Sequence, residues 1–171
     1  DGKVDMESKE GSAIALFYGS EQNLNLRYGI SFISAEQAKK NLQRDITTYD
    51  VKEVADTGRR IWNETLGKIV IEGGSEDEKE IFYTSLYRTY ERMINLSEDG
   101  KYYSAFDGKI HEDGGVPFYT DDWIWDTYRA THPLRILIEP QKELDMIRSY
   151  IRMAEQSDRR WMPTFPEVTG D

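Results

Sequence analysis

The residues best suited to chemistry lie in one short stretch, residues 121–126, where Asp and Trp fill five of the six positions. Carboxylates accept hydrogen bonds from vicinal hydroxyls, and flat rings cover the apolar face of a pyranose, so this pattern is typical of a sugar site. The structural alternative is a helix start in which both Trp side chains pack in the core and Asp122 caps the helix. In that alternative Asp126 pairs with Arg129. Composition alone leaves the two interpretations open.

Other candidates for catalysis are few. The chain has no cysteine, which excludes disulfides, thiol catalysis and cysteine-ligated metals. Its two histidines, His111 and His132, are far apart, and neither belongs to a His-Glu-x-x-His metal pattern. A lone histidine followed by proline is typical of a structural hydrogen-bonding residue, which is the prediction for His132. The glycine pairs lack the spacing of a phosphate-binding loop, so nucleotide binding has no support.

Charge and hydropathy exclude two classes of partner. The chain carries 22 Lys and Arg against 32 Asp and Glu, a net charge of −10, and no basic cluster offsets it, so a nucleic-acid partner is not expected. No apolar run approaches the ~20 residues that span a bilayer, so no membrane span is predicted. Four further aromatic residues fit a ligand surface and core packing equally well: Tyr102, Tyr103, Phe118 and Tyr119.

The first third of the chain shows the alternation typical of β-strands. Residues 12–18 form a short apolar run, and residues 24–33 place an apolar side chain at every second position. Period two with one polar face predicts an antiparallel strand that covers a core. Two such strands do not make a stable sheet alone. We therefore expect them to end a β-sandwich whose earlier strands precede this sequence.

Three helices are predicted next. A Ser-x-x-Gln pattern starting at Ser34 predicts a helix to about Asp45, opened by a capping box in which the Gln side chain bonds back to the serine. Residues 50–66 carry an apolar stripe and are followed by glycine, which predicts a second helix. A Ser-x-x-Glu pattern starting at Ser75 predicts a second capping box and a third helix.

The second half of the chain predicts a hairpin and two more helices. Asp107-Gly108 is expected at the tip of a small β-hairpin, as a two-residue turn. One helix should start near Asp122 and end before Pro133. Another should run from Pro140 to about Gln156, since proline suits the first helical position. Its buried stripe is predicted to consist of Leu144, Ile147, Ile151 and Ala154. Strands followed by helices predict an α+β domain, or two abutting domains.

A block of residues at 125–134 closely resembles a known family motif. It reads Trp125-Asp126-Thr127-Tyr128-Arg129-Ala130-Thr131-His132-Pro133-Leu134. It resembles the Trp-Asp-Thr-(Tyr/Phe)-Arg-x-x-His-Pro-Leu block of glycoside hydrolase family 92, the bacterial calcium-dependent exo-α-mannosidases. Further segments resemble the family in the same order along the chain: residues 29–34, 37–38, 41–42, 62–63, 66–69, 82–88 and 161–163.

The resemblance implies a fold and an internal segment of a longer enzyme. Residues 1–33 would be the last strands of an N-terminal β-sandwich, residues 34–74 a helical linker, and residues 75–171 the start of an (α/α)6 toroidal catalytic domain. The overall class is then α+β, with the later part mostly α.

The resemblance also implies an activity. It is inverting hydrolysis of terminal α-linked mannose, with α-1,2 as the expected linkage, a bound Ca²⁺ in the complete enzyme, and a periplasmic or extracellular location. The catalytic acid and base, and the calcium ligands, are expected C-terminal to residue 171. Within this chain the family pattern carries over Asp126 as an acceptor for mannose hydroxyls in the −1 subsite, and Trp125 as part of the pocket wall. Asp121 and Asp122 depart from the family pattern, which puts the linkage preference in doubt.

Two alternative functions remain open beside that of a mannosidase. One is a non-catalytic sugar-binding or structural module in which the Trp cluster is only core. The other is a different (α/α)6 glycosidase, one that acts on glucosides, which the block at residues 125–134 disfavours.

Overall fold

The computed structural model describes residues 25–170. In this part of the chain three helices come first, four short strands follow, and three more helices end it. The helices are α1 (Ala35–Asp45), α2 (Val51–Leu66), α3 (Glu76–Arg88), α4 (Ile124–Thr127), α5 (Thr131–Ile138) and α6 (Pro140–Gln156). The strands are β1 (Ile94–Asn95), β2 (Lys101–Ser104), β3 (Lys109–Glu112) and β4 (Tyr119–Thr120). They form two antiparallel pairs, β1 with β4 and β2 with β3. The predicted α+β class is confirmed.

The strand predicted at residues 24–33 is not observed. Residues 25–33 have no strand conformation, and the side chains of the expected buried face are exposed, Leu26 at 68% and Tyr28 at 73%. An alternating pattern becomes a strand only where a neighbour supplies backbone partners. Here side chains supply contacts instead: the Phe32 N–H donates to Glu98 Oε1 at 3.0 Å. The apolar run at residues 12–18 lies outside the described residues.

The helix starts follow local sequence closely. Ser34 Oγ accepts the Gln37 N–H at the start of α1, and Ser75 with Glu78 forms a complete capping box at the start of α3. The reciprocal bond expected of Gln37 is absent from α1. The Gln37 side chain is buried and donates instead to Asn41 Oδ1 at 3.1 Å and Asp99 Oδ2 at 2.7 Å. A long-range carboxylate therefore replaces the local cap.

We expect Ser75→Ala to lower the free energy of unfolding by ~1 kcal/mol, because the change leaves the Glu78 N–H without its side-chain acceptor. The matched control is Ser85→Ala in the same helix. Ser85 Oγ bonds only to the Ile81 carbonyl one turn back, so alanine should be neutral or slightly stabilising there. Urea unfolding of both variants is the measurement, and equal losses would contradict the role of the cap.

The predicted hairpin is confirmed, but its loop is longer than expected. Strands β2 and β3 pair from Lys101↔Glu112 to Ser104↔Lys109, which leaves a four-residue loop at 105–108. Asp107-Gly108 does lie at the tip. Asp107 Oδ1 accepts the Lys109 N–H at 3.1 Å, and Gly108 adopts a φ of 69°, where glycine carries no steric penalty.

The core lies between the hairpin, β4 and α6. It contains eight buried side chains: Met93, Leu96, Tyr102, Phe118, Tyr119, Met146, Tyr150 and Met153. Tyr102 and Phe118 are stacked with ring centroids 4.1 Å apart. Tyr102, Phe118 and Tyr119 are therefore packing residues, which decides for these three the choice that the sequence leaves open.

Helix α6 has the predicted bounds but buries a different face. The buried row consists of Glu143, Met146, Ser149, Tyr150 and Met153. The predicted row is half exposed, with Leu144 at 41%, Ile147 at 45% and Ile151 at 49%. The polar members of the buried row have partners, such as Ser149 Oγ, which accepts the Tyr119 N–H at 2.9 Å. This face points toward the Asp and Trp residues at 121–126, where the Tyr150 hydroxyl donates to Asp122.

Candidate functional site

The candidate site is the turn that carries residues 121–126. Its short helix α4 is tied to the segment after α6 by two backbone bonds, from Asp122 N–H to the Pro166 carbonyl at 2.9 Å and from Ile124 N–H to the Thr164 carbonyl at 3.2 Å. Trp125 is 74% exposed, and Asp126 is also exposed. Both side chains are therefore free to contact a ligand.

The single helix predicted from near Asp122 to before Pro133 is wrong. The structure has two helices, α4 and α5, and Pro133 lies in the first turn of α5. Proline is tolerated there because the first backbone N–H groups of a helix have no intrahelical partner. The ion pair between Asp126 and Arg129 does not form in the described part of the chain. Arg129 Nη2 donates to the Tyr128 hydroxyl at 3.2 Å instead.

Trp123 is held by a cation that sequence reasoning did not connect to it. The Arg92 guanidinium lies 3.8 Å from the Trp123 ring centroid, and its Nη1 is 3.3 Å from Asp121 Oδ1. Asp121 adopts a φ of 65°, a left-handed conformation that Asp and Asn tolerate better than most residues. Trp123 is 39% exposed. It is a packed surface side chain and not a core residue.

Asp122, in contrast, is fully buried, with 0% exposure, and its two oxygens accept from four donor groups. Oδ1 accepts from the Trp123 N–H at 2.8 Å and from Thr127 Oγ1 at 3.0 Å. Oδ2 contacts His132 Nε2 at 2.8 Å and accepts from the Tyr150 hydroxyl at 2.7 Å. The capping role considered for Asp122 is wrong, because the N-cap residue of α4 is Trp123 and no side chain caps the helix. Asp122 instead contacts α5 and α6.

His132 lies between two carboxylates. Its Nε2 faces Asp122, and its Nδ1 is 2.7 Å from Glu143 Oε1. An ionised carboxylate only accepts, so both ring nitrogens must carry protons and the ring is an imidazolium. Burial opposes the charge, but the bonds to Asp122 and Glu143 outweigh it and raise the pKa of His132 to about 9. The prediction that His132 is a structural hydrogen-bonding residue is confirmed.

A fourth charge balances the cluster. The Arg135 side chain is 2% exposed, donates to the Thr89 carbonyl, and places its Nη1 3.4 Å from Met146 Sδ. We call Asp122, His132, Glu143 and Arg135 the buried ion cluster. It contains two cations and two carboxylates, so its net charge is zero. His132 bonds directly to both carboxylates, whereas Arg135 makes no ion pair with either among the described residues and is attracted to them only at longer range.

The buried ion cluster and the exposed residues Trp125 and Asp126 are suited to different tasks. The bonds to His132 and the Tyr150 hydroxyl outweigh burial and hold the pKa of Asp122 below its usual value, and its four bonds leave it no free acceptor site. It is therefore built to fix geometry. Asp126 and Trp125 offer a free carboxylate and a free aromatic face. In the part of the chain that the structure describes, no group of three or more His, Asp or Glu side chains could hold a metal ion.

Comparison with known proteins decides the family. The family model for the glycosyl hydrolase family 92 catalytic domain matches residues 37–171. The chain belongs to this family.

Solved family 92 structures show the same fold over most of the chain. The inverting mannosidase BT2199 from Bacteroides thetaiotaomicron is 35% identical, with a TM-score of 0.71 over 81% of this chain and 19% of its own. The α-mannosidase BT3965 from the same organism is 28% identical, with a TM-score of 0.72 over 82% and 19%. BT3965 is also known in complex with mannoimidazole. This sequence thus spans 19% of the length of these relatives. No functionally curated protein sequence matches it.

Within the family 92 segment, sequence reasoning missed the partners of Asp122 and His132. Glu143 and Tyr150 lie seven positions apart, which is two helical turns, and therefore on the same face of α6. A glutamate in register with Met146 and Met153 was the available signal of a buried charge with a partner.

No helix between residues 25 and 170 has the length and apolarity that crossing a membrane requires.

Proposed function

We propose that this chain is part of an inverting exo-α-mannosidase that releases terminal α-linked mannose from glycans, with α-1,2 as the expected linkage. One observation carries the proposal: the family 92 match includes the turn on which Trp125 and Asp126 are exposed. The similarity to BT2199 and BT3965, both of which are mannosidases, supports a mannoside substrate. The complex of BT3965 with mannoimidazole supports it further.

The proposal includes an architecture. Residues 1–33 would end an N-terminal β-sandwich, although residues 25–33 form no strand in the structure. Residues 34–74 would form a helical linker, and residues 75–171 would begin an (α/α)6 toroid. Helices α1 to α3 are compatible with this arrangement. So is α6, which has a buried row and a half-exposed apolar row, since a toroid helix packs on more than one side. From the family we also propose that the protein lies in the periplasm or the extracellular space.

In the proposed mechanism Asp126 accepts hydrogen bonds from mannose hydroxyls in the −1 subsite, and Trp125 forms part of the pocket wall. An inverting glycosidase needs a carboxylic acid and a carboxylate ~6.5–9.5 Å apart, with room between them for water. We assign both to residues beyond 171. The described residues do not supply a calcium site, so we assign Ca²⁺ to another part of the polypeptide.

The test is mannose release by the intact polypeptide that carries this sequence. We expect release from α-1,2-linked mannobiose, and proton NMR of the first product should show the β-anomer, since inversion reverses the α configuration. The α-1,3- and α-1,6-linked isomers measure the linkage preference, and an α-linked glucose disaccharide tests the competing glycosidase. Hydrolysis of the glucoside alone, or of no substrate, would overturn the proposal.

Removal of calcium is a separate prediction. Incubation with EDTA is expected to abolish mannose release, and added Ca²⁺ should restore it, because the proposed metal orients substrate and stabilises charge. Mg²⁺ added at the same concentration is the matched control, since it prefers a smaller octahedral site. Unchanged release after chelation would remove calcium from the proposal and leave the mannosidase activity in place.

A further inference from the structure

We propose that Asp122 is a positioning residue, whose carboxylate fixes the turn carrying Trp125 and Asp126 against α5 and α6. It thereby sets the direction in which those two side chains meet a sugar. The kinetic part of this inference rests on the proposed function, whereas the structural part does not. The neighbouring carboxylates Asp121 and Asp126 have no comparable set of contacts.

Asp122 first stabilises the short helix α4 itself. Helix α4 is four residues long, and its N-cap residue Trp123 makes no side-chain cap bond. A single turn of helix is not stable without outside contacts, because helix nucleation is unfavourable. Asp122 supplies those contacts at both ends, since its Oδ1 binds the Trp123 N–H before the turn and Thr127 Oγ1 at the last residue of the turn. Trp125 and Asp126 lie between these two anchors.

Asp122 also makes contacts with residues distant in sequence. Asp122 Oδ2 bonds to His132 on α5 and to Tyr150 on α6, so one carboxylate joins the turn to two longer helices. Contacts between α5 and α6 keep these two helices together, and the His132–Glu143 bond joins them at 2.7 Å. The turn therefore has a fixed orientation relative to a packed helix pair and not only a fixed local shape.

The groups around position 122 determine which side chain suits it. All four groups that surround it donate to it, so the position favours an acceptor-only group. Asparagine has the same shape, but its NH₂ group would face two donors on one side. Asp122→Asn therefore breaks the contacts on one oxygen without creating a cavity. Tyr150→Phe is the milder variant, since it removes one of the four bonds.

Hydrogen exchange of the intact polypeptide tests the structural part without any substrate. Asp122→Asn should speed exchange of the backbone amides at residues 123–128 about tenfold or more, because the bonds that hold α4 closed are lost. The matched control is Asp121→Asn, which removes the adjacent carboxylate and suits its φ of 65°. It should leave those amides unchanged. Unchanged exchange in Asp122→Asn, or equal acceleration in both variants, would overturn the proposal. Should Asp122→Asn fail to fold, the same comparison is made with Tyr150→Phe.

A double-mutant cycle on kcat/KM tests the kinetic part. Asp122→Asn should lower kcat/KM about tenfold or more in the wild-type background and less than about threefold in the Asp126→Ala background, since the turn then has no carboxylate to position. A general loss of structure would lower both backgrounds equally, and that additive result would overturn the inference. Absence of turnover on every mannoside would instead overturn the proposed function, and the exchange experiment would still decide the role of Asp122.

Discussion

Replacing His132 with glutamine is expected to lower the free energy of unfolding by about 3 kcal/mol near pH 6, and by much less at pH 9.5. The folded protein holds the imidazolium between two carboxylates and raises its pKa to about 9, against an ordinary value of 6.5. That difference corresponds to more than two pKa units at about 1.4 kcal/mol each. Glutamine cannot carry the charge that both carboxylates require.

The sign of the pH dependence follows from the direction of the shift. Below pH 6.5 His132 is protonated in the folded and the unfolded chain, so the full contribution is present. Between 6.5 and about 9 only the folded chain keeps the proton, and the contribution falls as the pH rises. Asp122 acts in the opposite range, because its pKa is lowered on folding. Its contribution is present above its ordinary value of 3.8 and is lost as the pH falls through its folded value.

The measurement is chemical unfolding of the intact wild-type and variant polypeptides at intervals between about pH 5.5 and 9.5. Tyr150→Phe is the matched control, since it removes a neutral donor from the same Asp122 oxygen. Burial raises the pKa of Tyr150, so its hydroxyl does not titrate in this range, and its loss should be independent of pH. A His132→Gln loss that is equally flat would show that His132 is neutral in the folded protein.

Signals confined to a few neighbouring residues were the most reliable guide to the fold. The capping box at Ser75, the proline at the start of α6 and the Asp107-Gly108 tip all appear where they were predicted. Each depends on contacts within about four residues, so the surrounding structure has little opportunity to override it. The strand predicted at residues 24–33 depends on a pairing partner instead, and side chains from elsewhere satisfy part of its backbone.

The buried face of α6 shows why periodicity misjudged the core. Hydropathy ranks the row with Leu144 and Ile147 above the row with Glu143 and Tyr150. The structure buries the second row because Glu143 Oε1 and the Tyr150 hydroxyl find partners outside α6, which removes much of the cost of burial. Those partners lie 11 and 28 residues away and outside α6, so the periodicity of the α6 sequence does not contain the information.

The sequence predicts a candidate site at residues 121–126, but the residues alone do not distinguish the surroundings of its three carboxylates. Asp121, Asp122 and Asp126 are the same residue type within six positions, and nothing local distinguishes them. The fold makes Asp121 half-buried beside Arg92, Asp122 fully buried and Asp126 exposed. The distinction arises where α5 and α6 pack against the turn, which is a property of tertiary structure alone.

Asp126→Ala in the intact enzyme is expected to lower kcat/KM on an α-mannoside about 100-fold, which is ~3 kcal/mol at 1.4 kcal/mol per tenfold. The proposed reason is that alanine leaves mannose hydroxyls in the −1 subsite without their charged acceptor. Asp126 is exposed, and its side chain makes no hydrogen bond among residues 25–170, so stability should change by less than about 0.5 kcal/mol. Loss of activity without loss of stability separates Asp126 from the buried Asp122, whose replacement affects both.

Three companion variants sharpen the interpretation of Asp126→Ala. Asp126→Asn keeps one acceptor oxygen and should recover part of the lost activity. Trp125→Ala removes an aromatic face without stranding a polar group, so its loss should be smaller, about tenfold. Glu53→Ala on α2 removes an exposed carboxylate that makes no side-chain bond among the described residues, and it should leave kcat/KM within about twofold of wild type. A near-wild-type kcat/KM for Asp126→Ala would remove Asp126 from the sugar site, and with it the kinetic role proposed for Asp122, because a turn that touches no substrate has nothing to position.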